Sequence, residues 1–577
     1  MRARVDGMNQ TMVCLIAARP GQPGGKSQTE DTQEMTVVTQ PALSDRTGSG
    51  ESEGALDRPD DIHVYLPEIW AVHARHFPRK DAIVCGADRL SWRDFDQAMN
   101  RLANALHARG LGRDDKVAVL LGNEVMTIPV MFGVVKARAC LVPLSAMLTP
   151  DQLAHLITDS GATTLIVAPG LIDRIAPVRE RLDRVAPDRF VVLGPEQPGW
   201  TAYDAFLGEA PATQPPVRYA LDDPFNIIYS SGTTGLPKGI VQTHRARQHW
   251  SFSNAIEMRF DQTSRALTTT ALYSNGTWLM VLPVLFTGGT LHILPQFDPA
   301  AFLETVARER ITHTFMVPTQ YILTLACPAL DRADLSSLKT MLSAGSPLRP
   351  DTKQAVLARM GPGLYELYGL TEGFATMLKP EFHATRLSSV GTPVLGFEVR
   401  IIDDEGRELP AGEAGEIAGY GAGMMAGYHG RPEATAAAIW RDERGRSFIR
   451  TGDIGRLDEA GFLYILERKK DMIVSGGFNV FPTDVETVLG GHPDVLDVTV
   501  IGVPHEKWGE AALALVIPRD GARVTEADLK AWANDRLAKT QRLVGVEFRA
   551  EFPRNALGKV LKRELRAPYW AAEGRVI

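Results

Sequence analysis

The sequence predicts an α/β fold. A large N-terminal domain of parallel-rich sheets with covering helices and a β subdomain is joined by a hinge to a small α+β C-terminal domain. Three observations predict it. Short continuous apolar runs alternate with helical stretches, the pattern of βαβ units in a parallel sheet covered on both faces. From about Val390 the chain is richer in glycine, turns and short strands. At Glu467-Arg468-Lys469-Lys470-Asp471 a charged run breaks the pattern, and a compact strand–helix alternation follows it.

The elements follow in order. Residues 1–60 are rich in Gly, Ser, Thr, Gln, Asp and Glu and read as a disordered extension. Phe95, Met99, Leu102 and Leu106 have helical spacing within Asp94–Arg109, and Gly110 supplies the stop. Val117–Leu121 is a buried strand, and a helix over Thr127–Ala137 follows. Thr149-Pro150 opens another helix as cap and first position, and Thr164–Val167 closes the unit. Phe225–Tyr229 reads as a buried strand, as do Thr290–Leu294 and Thr314–Val317 around a helix over Ala301–Arg310. Beyond the charged run come helices near Asp484–Leu489 and Glu526–Leu537, with strands Val495–Ile501, Ala512–Ile517 and Val546–Phe552. The expected domains are 61–469 and 470–577.

Composition narrows the function classes. The chain has 577 residues, enough for more than one domain, with 44% hydrophobic and 23% charged residues. A net charge of −7, without basic runs interleaved with aromatics, argues against a nucleic-acid binder. Four cysteines without metal-type spacing read as reduced thiols. No apolar run is long enough to span a membrane, and the apolar patch after the N-terminal arginines is a poor secretory signal. A cytoplasmic protein is expected, with monomer and homo-oligomer both open.

The chemistry centres on Ser230-Ser231-Gly232-Thr233-Thr234-Gly235-Leu236-Pro237-Lys238-Gly239. Glycines let backbone N–H groups approach an anion, while hydroxyls and Lys238 add donors and charge. The segment reads as neither helix nor strand, and a polyphosphate fits it better than an ordinary turn does. It is not a P-loop, which needs Gly-Lys followed by Ser or Thr at a helix start.

With its flanking tyrosine this segment resembles the signature loop of the adenylate-forming enzymes: acyl-CoA synthetases, luciferases and peptide-synthetase adenylation domains. Ser343-Ala344-Gly345-Ser346-Pro347-Leu348 resembles the family segment lining adenine. Tyr365-Glu366-Leu367-Tyr368-Gly369-Leu370-Thr371-Glu372 and Arg450-Thr451-Gly452-Asp453 resemble its next blocks. Gly427-Tyr428-His429-Gly430-Arg431-Pro432-Glu433 resembles a block read as structural. Pro553-Arg554-Asn555-Ala556-Leu557-Gly558-Lys559 resembles the last block.

The resemblance implies ATP, Mg²⁺ and coenzyme A, with a small-molecule carboxylic acid as substrate. It places Tyr368 beside adenine, with Gly345, Ser346 and Gly369 nearby, and Thr371 at the α-phosphate. It assigns Glu372 and Thr234 to the metal, and a hard carboxylate oxygen suits Mg²⁺. Asp453, paired with Arg468, would hold the ribose hydroxyls. Lys559 would act catalytically at the carboxylate and α-phosphate, together with Thr234 and Glu372. Lys470 falls on the hinge, with Glu467 where glycine is usual. Gly476 and Gly477 border the expected pantetheine tunnel.

Ala271-Leu272-Tyr273-Ser274-Asn275-Gly276 stands where the family reads Pro-Leu-Phe-His, with Tyr273 taken to replace the histidine. No aspartate is present there to hold an amino-acid ammonium. Implied pocket residues are Trp250, Tyr273, Ser274, Trp278, Thr319 and Gln320, which suit an aryl, alicyclic or medium- to long-chain acid. The implied activity is an ATP-dependent acid–CoA ligase. Alternatives are loading of a carrier protein in trans, a light-emitting oxygenase, and a non-catalytic ATP or acyl-adenylate binder.

Overall fold

The structure is a computed structural model that describes residues 65–230, 237–476, 478–554 and 560–571. The predicted 1–60 extension lies outside these residues, as do Ser231, Gly232, Thr233, Thr234, Gly235, Gly477 and Lys559. Among the described residues the strands form four sheets. The expected α/β class, with parallel-rich sheets in the large part and an α+β unit at the C-terminus, is the observed one.

A nine-stranded sheet runs in the order 392–393, 374–378, 364–370, 340–344, 313–316, 265–268, 290–293, 81–85, 88–91. Its central strands are parallel, with antiparallel pairs only towards the edges. An eight-stranded sheet has the order 427–428, 238–243, 224–230, 140–143, 116–120, 164–167, 190–192, 201–202. Strands Pro224–Ser230 and Lys238–Thr243 pair antiparallel. Strand 427–428 also pairs antiparallel with 238–243, and the neighbours from 224–230 through 201–202 are parallel.

Two helices have almost no polar positions because they are enclosed on all sides. In Thr127–Lys136 all ten residues are buried, and Trp278–Phe286 is apolar throughout all but its last residue's exposure. Buried Lys136 is tolerated because it pairs with Asp96 of the Trp92–His107 helix. The helix predicted from Thr149-Pro150 is Pro150–Ser160, and Thr149 Oγ1 accepts from Gln152 N at 3.3 Å. Gly110 ends its helix region at φ +73.

Five antiparallel strands between Phe397 and Arg468 make the third sheet. The fourth, from Ile473 to Phe548, pairs Val495–His505 with Gly509–Pro518 along a long hairpin. Leu543–Phe548 joins it in parallel, and helices Pro482–Gly490 and Glu526–Asn534 cover one face. No helix among the described residues is long and apolar enough to cross a membrane.

Candidate active site

Parallel strands deliver their following loops to one sheet edge, so ligands of such folds sit beyond the strands' C-terminal ends. The sequence-predicted residues follow that rule. Ser230 ends Pro224–Ser230, Gly345 and Ser346 follow Thr340–Ala344, and Thr371 and Glu372 follow Leu364–Leu370. The reading of 230–239 as free of strand needs correction at its ends. Ser230 and Lys238 are register partners, so the segment is the connection of an antiparallel hairpin. Its glycine-rich middle lies outside the described residues.

Glu372 is held from two directions by one stretch of chain. Its backbone oxygen accepts from Met425 N at 2.7 Å, and its Oε1 accepts from the Tyr428 hydroxyl at 2.9 Å. Lys238 Nζ lies 4.8 Å from the centre of the same tyrosine ring. Gln242, on the hairpin's return strand, donates to the Thr371 carbonyl at 2.6 Å. Gly373 sits at φ +110, and a Cβ there would lie 2.1 Å from the Gly423 oxygen. Only glycine allows the 423–428 stretch to approach Glu372 so closely.

These donors fit the implied metal. Among the described residues no cluster of three His, Cys, Asp or Glu side chains exists. Mg²⁺ bound to nucleotide commonly uses one or two carboxylates plus phosphate oxygens and water. One half-buried glutamate, bonded to a tyrosine whose ring faces Lys238, suits that arrangement.

A second group assembles around Asp453, which is buried. Its Oδ2 accepts from Tyr368 Oη at 2.7 Å, and Oδ1 lies 3.3 Å from Arg468 Nε. Strand register places Asp453 opposite Arg468 directly. Burial, then the Asp453 charge, pushes the Tyr368 phenol well above its usual range, so it remains a donor. Each carboxylate oxygen keeps a further lone pair for a ribose hydroxyl. Nearby, Ser343 Oγ and Ser346 Oγ are buried without hydrogen-bond partners. Unpaired buried hydroxyls are expected where a polar ligand completes the site. The loop carrying Ser346 is fixed from behind: Leu348 N donates to Glu366 Oε1 at 3.1 Å, and Glu366 pairs with Lys353 in the interior.

The acid-pocket residues divide. Tyr273 and Ser274 are partly exposed on the loop after Arg265–Thr268. Trp278 is a core residue, packed edge-on against Phe132 and Phe225, with Nε1 donating to the Leu272 carbonyl at 2.8 Å. Gln320 is absorbed in bonds to Thr269 and Val317, whereas Thr319 is exposed. Trp250 packs on Phe397 and donates to the Gly423 carbonyl at 2.9 Å.

Arg247 was not singled out by sequence. It is 2% exposed and donates to Asn226 Oδ1 at 2.8 Å and Asn275 Oδ1 at 2.9 Å. Its Cζ lies 4.6 Å from the Trp278 ring centre, and Nη2 has no hydrogen-bond partner. Burial without a carboxylate pushes its pKa down to about 9. It therefore ties the loop bearing Ser274 to the strand that enters the phosphate segment.

At the expected hinge, Glu467 replaces glycine with a purpose visible in its bonds. Its Oε2 accepts from Thr483 N at 3.1 Å and Thr483 Oγ1 at 3.0 Å, at the start of the Pro482–Gly490 helix. A carboxylate at a helix N-terminus meets unpaired N–H groups. Lys470 is exposed, and its carbonyl accepts from Arg566 Nη1 at 3.1 Å. Partial desolvation nevertheless lowers the Lys470 pKa. Gly476 lies beside Trp508 on an exposed rim that includes Phe478.

Comparison with known proteins agrees with this geometry. The AMP-binding enzyme model matches residues 70–429, and the AMP-binding enzyme C-terminal domain model matches 484–559. A feruloyl-CoA synthase from Amycolatopsis sp is 36% identical over 86% of this chain and 98% of its own. The fatty acid–[acyl-carrier-protein] ligase ScoC of Streptomyces coeruleorubidus is 31% identical over 89% of this chain and 98% of its own. The crystal structure of ATP-bound MatB from Rhodopseudomonas palustris superposes with a TM-score of 0.79 at 31% identity, covering 87% of this chain and 99% of that one. This chain belongs to the AMP-binding enzyme family, the adenylate-forming enzymes.

Proposed function

We propose that the protein is an ATP-dependent carboxylic acid–CoA ligase acting through an acyl-adenylate. The observation that carries this reading is that one stretch, Tyr368–Glu372, meets strands of two other sheets: Glu372 bonds to Tyr428, whose ring also faces Lys238, and Tyr368 bonds to Asp453, the partner of Arg468. A carboxylate is a weak nucleophile, and it must approach a polyanion. Lys238 and Lys559 would offset that repulsion, while Asp453 would fix the ribose and thereby the α-phosphorus. Mg²⁺, held by Glu372 and Thr234, would neutralise charge on the phosphates.

The acid's oxygen then attacks the α-phosphorus and pyrophosphate leaves. In the second half-reaction the coenzyme A thiol attacks the acyl carbonyl and AMP leaves with the carboxylate-derived oxygen. Positioning and electrostatic stabilisation account for such catalysis without a covalent protein intermediate. Rotation about Lys470 would withdraw Lys559 and bring Gly476 and Gly477 to the thiol's path.

The substrate is an aryl, alicyclic or medium- to long-chain acid, and the similarity to a feruloyl-CoA synthase favours the aryl class. The similarity to ScoC supports a second reading, transfer to a carrier protein in trans. The test is pyrophosphate release from ATP and Mg²⁺ across acids from acetate to cinnamates and long-chain acids, with and without coenzyme A. Release confined to one acid class, with acyl-CoA and AMP accumulating, supports the ligase. Release without thioester on coenzyme A transfers support to the carrier reading. No release with any acid contradicts both.

A further inference from the structure

We propose that Tyr428 is a positioning residue that holds Lys238 and Glu372 apart and in register around the nucleotide phosphates and their metal. This rests on the ligase reading, and deepens it by giving a role to a residue outside the expected nucleotide contacts. One ring makes both contacts: its edge hydroxyl donates to Glu372 Oε1 at 2.9 Å, and its face meets Lys238 Nζ at 4.8 Å from the centroid.

The two contacts use different parts of the ring's charge distribution. The π-face attracts a cation, and the hydroxyl offers its proton to an anion. The ring thus occupies the space between lysine and glutamate, and keeps them from pairing directly and cancelling the charges that phosphate and metal require. Lys238 and Glu372 each meet the tyrosine, one at its face and one at its hydroxyl.

Backbone pairing makes the spacer rigid. Tyr428 and Ile240 are antiparallel partners, and His429 N donates to the Gly239 carbonyl at 2.7 Å. The short strand thus grips the return arm of the phosphate hairpin one residue beyond Lys238. On its other side Tyr428 N donates to Thr435 Oγ1 at 2.9 Å, which anchors the strand to the Pro432–Ala437 helix. Met425 fixes the Glu372 backbone from the same segment. A movement of 425–429 would therefore shift lysine and glutamate together.

The test uses the full-length protein with Mn²⁺ and a non-hydrolysable ATP analogue, followed by electron paramagnetic resonance. Tyr428→Phe keeps the ring and removes the hydroxyl, and should weaken Mn²⁺ binding to the protein–nucleotide complex about ten-fold, the scale of lost outer-shell partners. Tyr428→Leu should additionally weaken metal-free nucleotide binding, because Lys238 loses its platform. In a Glu372→Ala background, Tyr428→Phe should cause no further loss. Folding of each variant is checked by circular dichroism. Wild-type Mn²⁺ affinity in a folded Tyr428→Phe protein overturns the proposal, as does full additivity with Glu372→Ala. Failure of the wild-type protein to bind the analogue overturns the nucleotide reading itself, and that outcome is visible before any variant is compared.

Discussion

Arg349 Nη2 donates to Asp497 Oδ1 at 3.0 Å, and the other oxygen of Asp497 pairs with Arg554. Arg349 caps the helix Pro350–Arg359, directly behind the Ser343–Leu348 segment. Arg554 stands at the entrance to the block that ends in Lys559. One carboxylate on the Val495–His505 strand therefore joins the nucleotide side of the molecule to the base of the Lys559 segment. In the same arrangement Phe478 is 61% exposed, so the Gly476 rim faces solvent. Under the proposed mechanism this ion-pair relationship would favour adenylate formation and would open for thioester formation.

Asp497→Ala should accordingly slow acid-dependent pyrophosphate exchange by up to about five-fold, the worth of a partly exposed ion pair of ~1 kcal/mol. Conversion of supplied acyl-adenylate to acyl-CoA should be unchanged or faster. Measuring the two half-reactions separately checks this, and an equal loss in both would contradict it.

Arg247→Met should act on the acid rather than the nucleotide. The substitution leaves Asn226 Oδ1 and Asn275 Oδ1 without their charged donor, so the loop bearing Ser274 loosens. Lost bonds to a charged donor cost about 1.5–3 kcal/mol each, offset in part by removing an uncompensated buried charge. A roughly ten-fold rise in KM for the acid is expected, equivalent to about 1.4 kcal/mol. KM for ATP should hold, and steady-state kinetics with each substrate varied decides the matter.

Stability should fall on acidification before the carboxylates titrate. His313 donates from Nε2 to the Met258 carbonyl at 3.0 Å, and its Nδ1 lies 2.7 Å from Thr312 Oγ1. Burial pushes the pKa of both His313 and His244 down to about 4. Unfolded imidazoles bind protons from about pH 6.5 downward. The unfolded state thus binds more protons between those limits, and the stabilising contribution is full above about pH 6.5 and lost towards pH 4. Each histidine lowers stability by roughly 3 kcal/mol on going from above pH 6.5 to the lower limit. Thermal unfolding of His313→Gln should lose stability less steeply over this window than the wild type.

Local signals made much of the fold legible. Thr149-Pro150 carries its own cap and first turn, and the strand at Thr164–Val167 lies where its apolar run does. The hairpin around 230–239 was not readable, because Lys238–Thr243 becomes a strand only by pairing with Pro224–Ser230 and with Gly427–Tyr428. Tyr428 was hidden for a related reason: its contacts reach Lys238 and Glu372, far away in sequence. Trp278 shows the opposite limit. An aromatic residue near an acid-binding block reads as pocket or core alike, and packing against Phe132 and Phe225 decides for core. Arg247 carried no pattern at all, since a buried guanidinium satisfied by amides has no sequence signature.

The most direct measurement of the central claim uses an acid that supports turnover, labelled with ¹⁸O in both carboxylate oxygens, with ATP, Mg²⁺ and coenzyme A. Attack of the carboxylate on the α-phosphorus and later cleavage of the acyl carbon–oxygen bond should leave one label atom in AMP and one in the thioester carbonyl. Mass spectrometry of the nucleotide product reads this outcome. Label in inorganic phosphate, with ADP as the nucleotide product, would contradict an acyl-adenylate and with it the assignment of Lys238, Glu372 and Asp453 to adenylation.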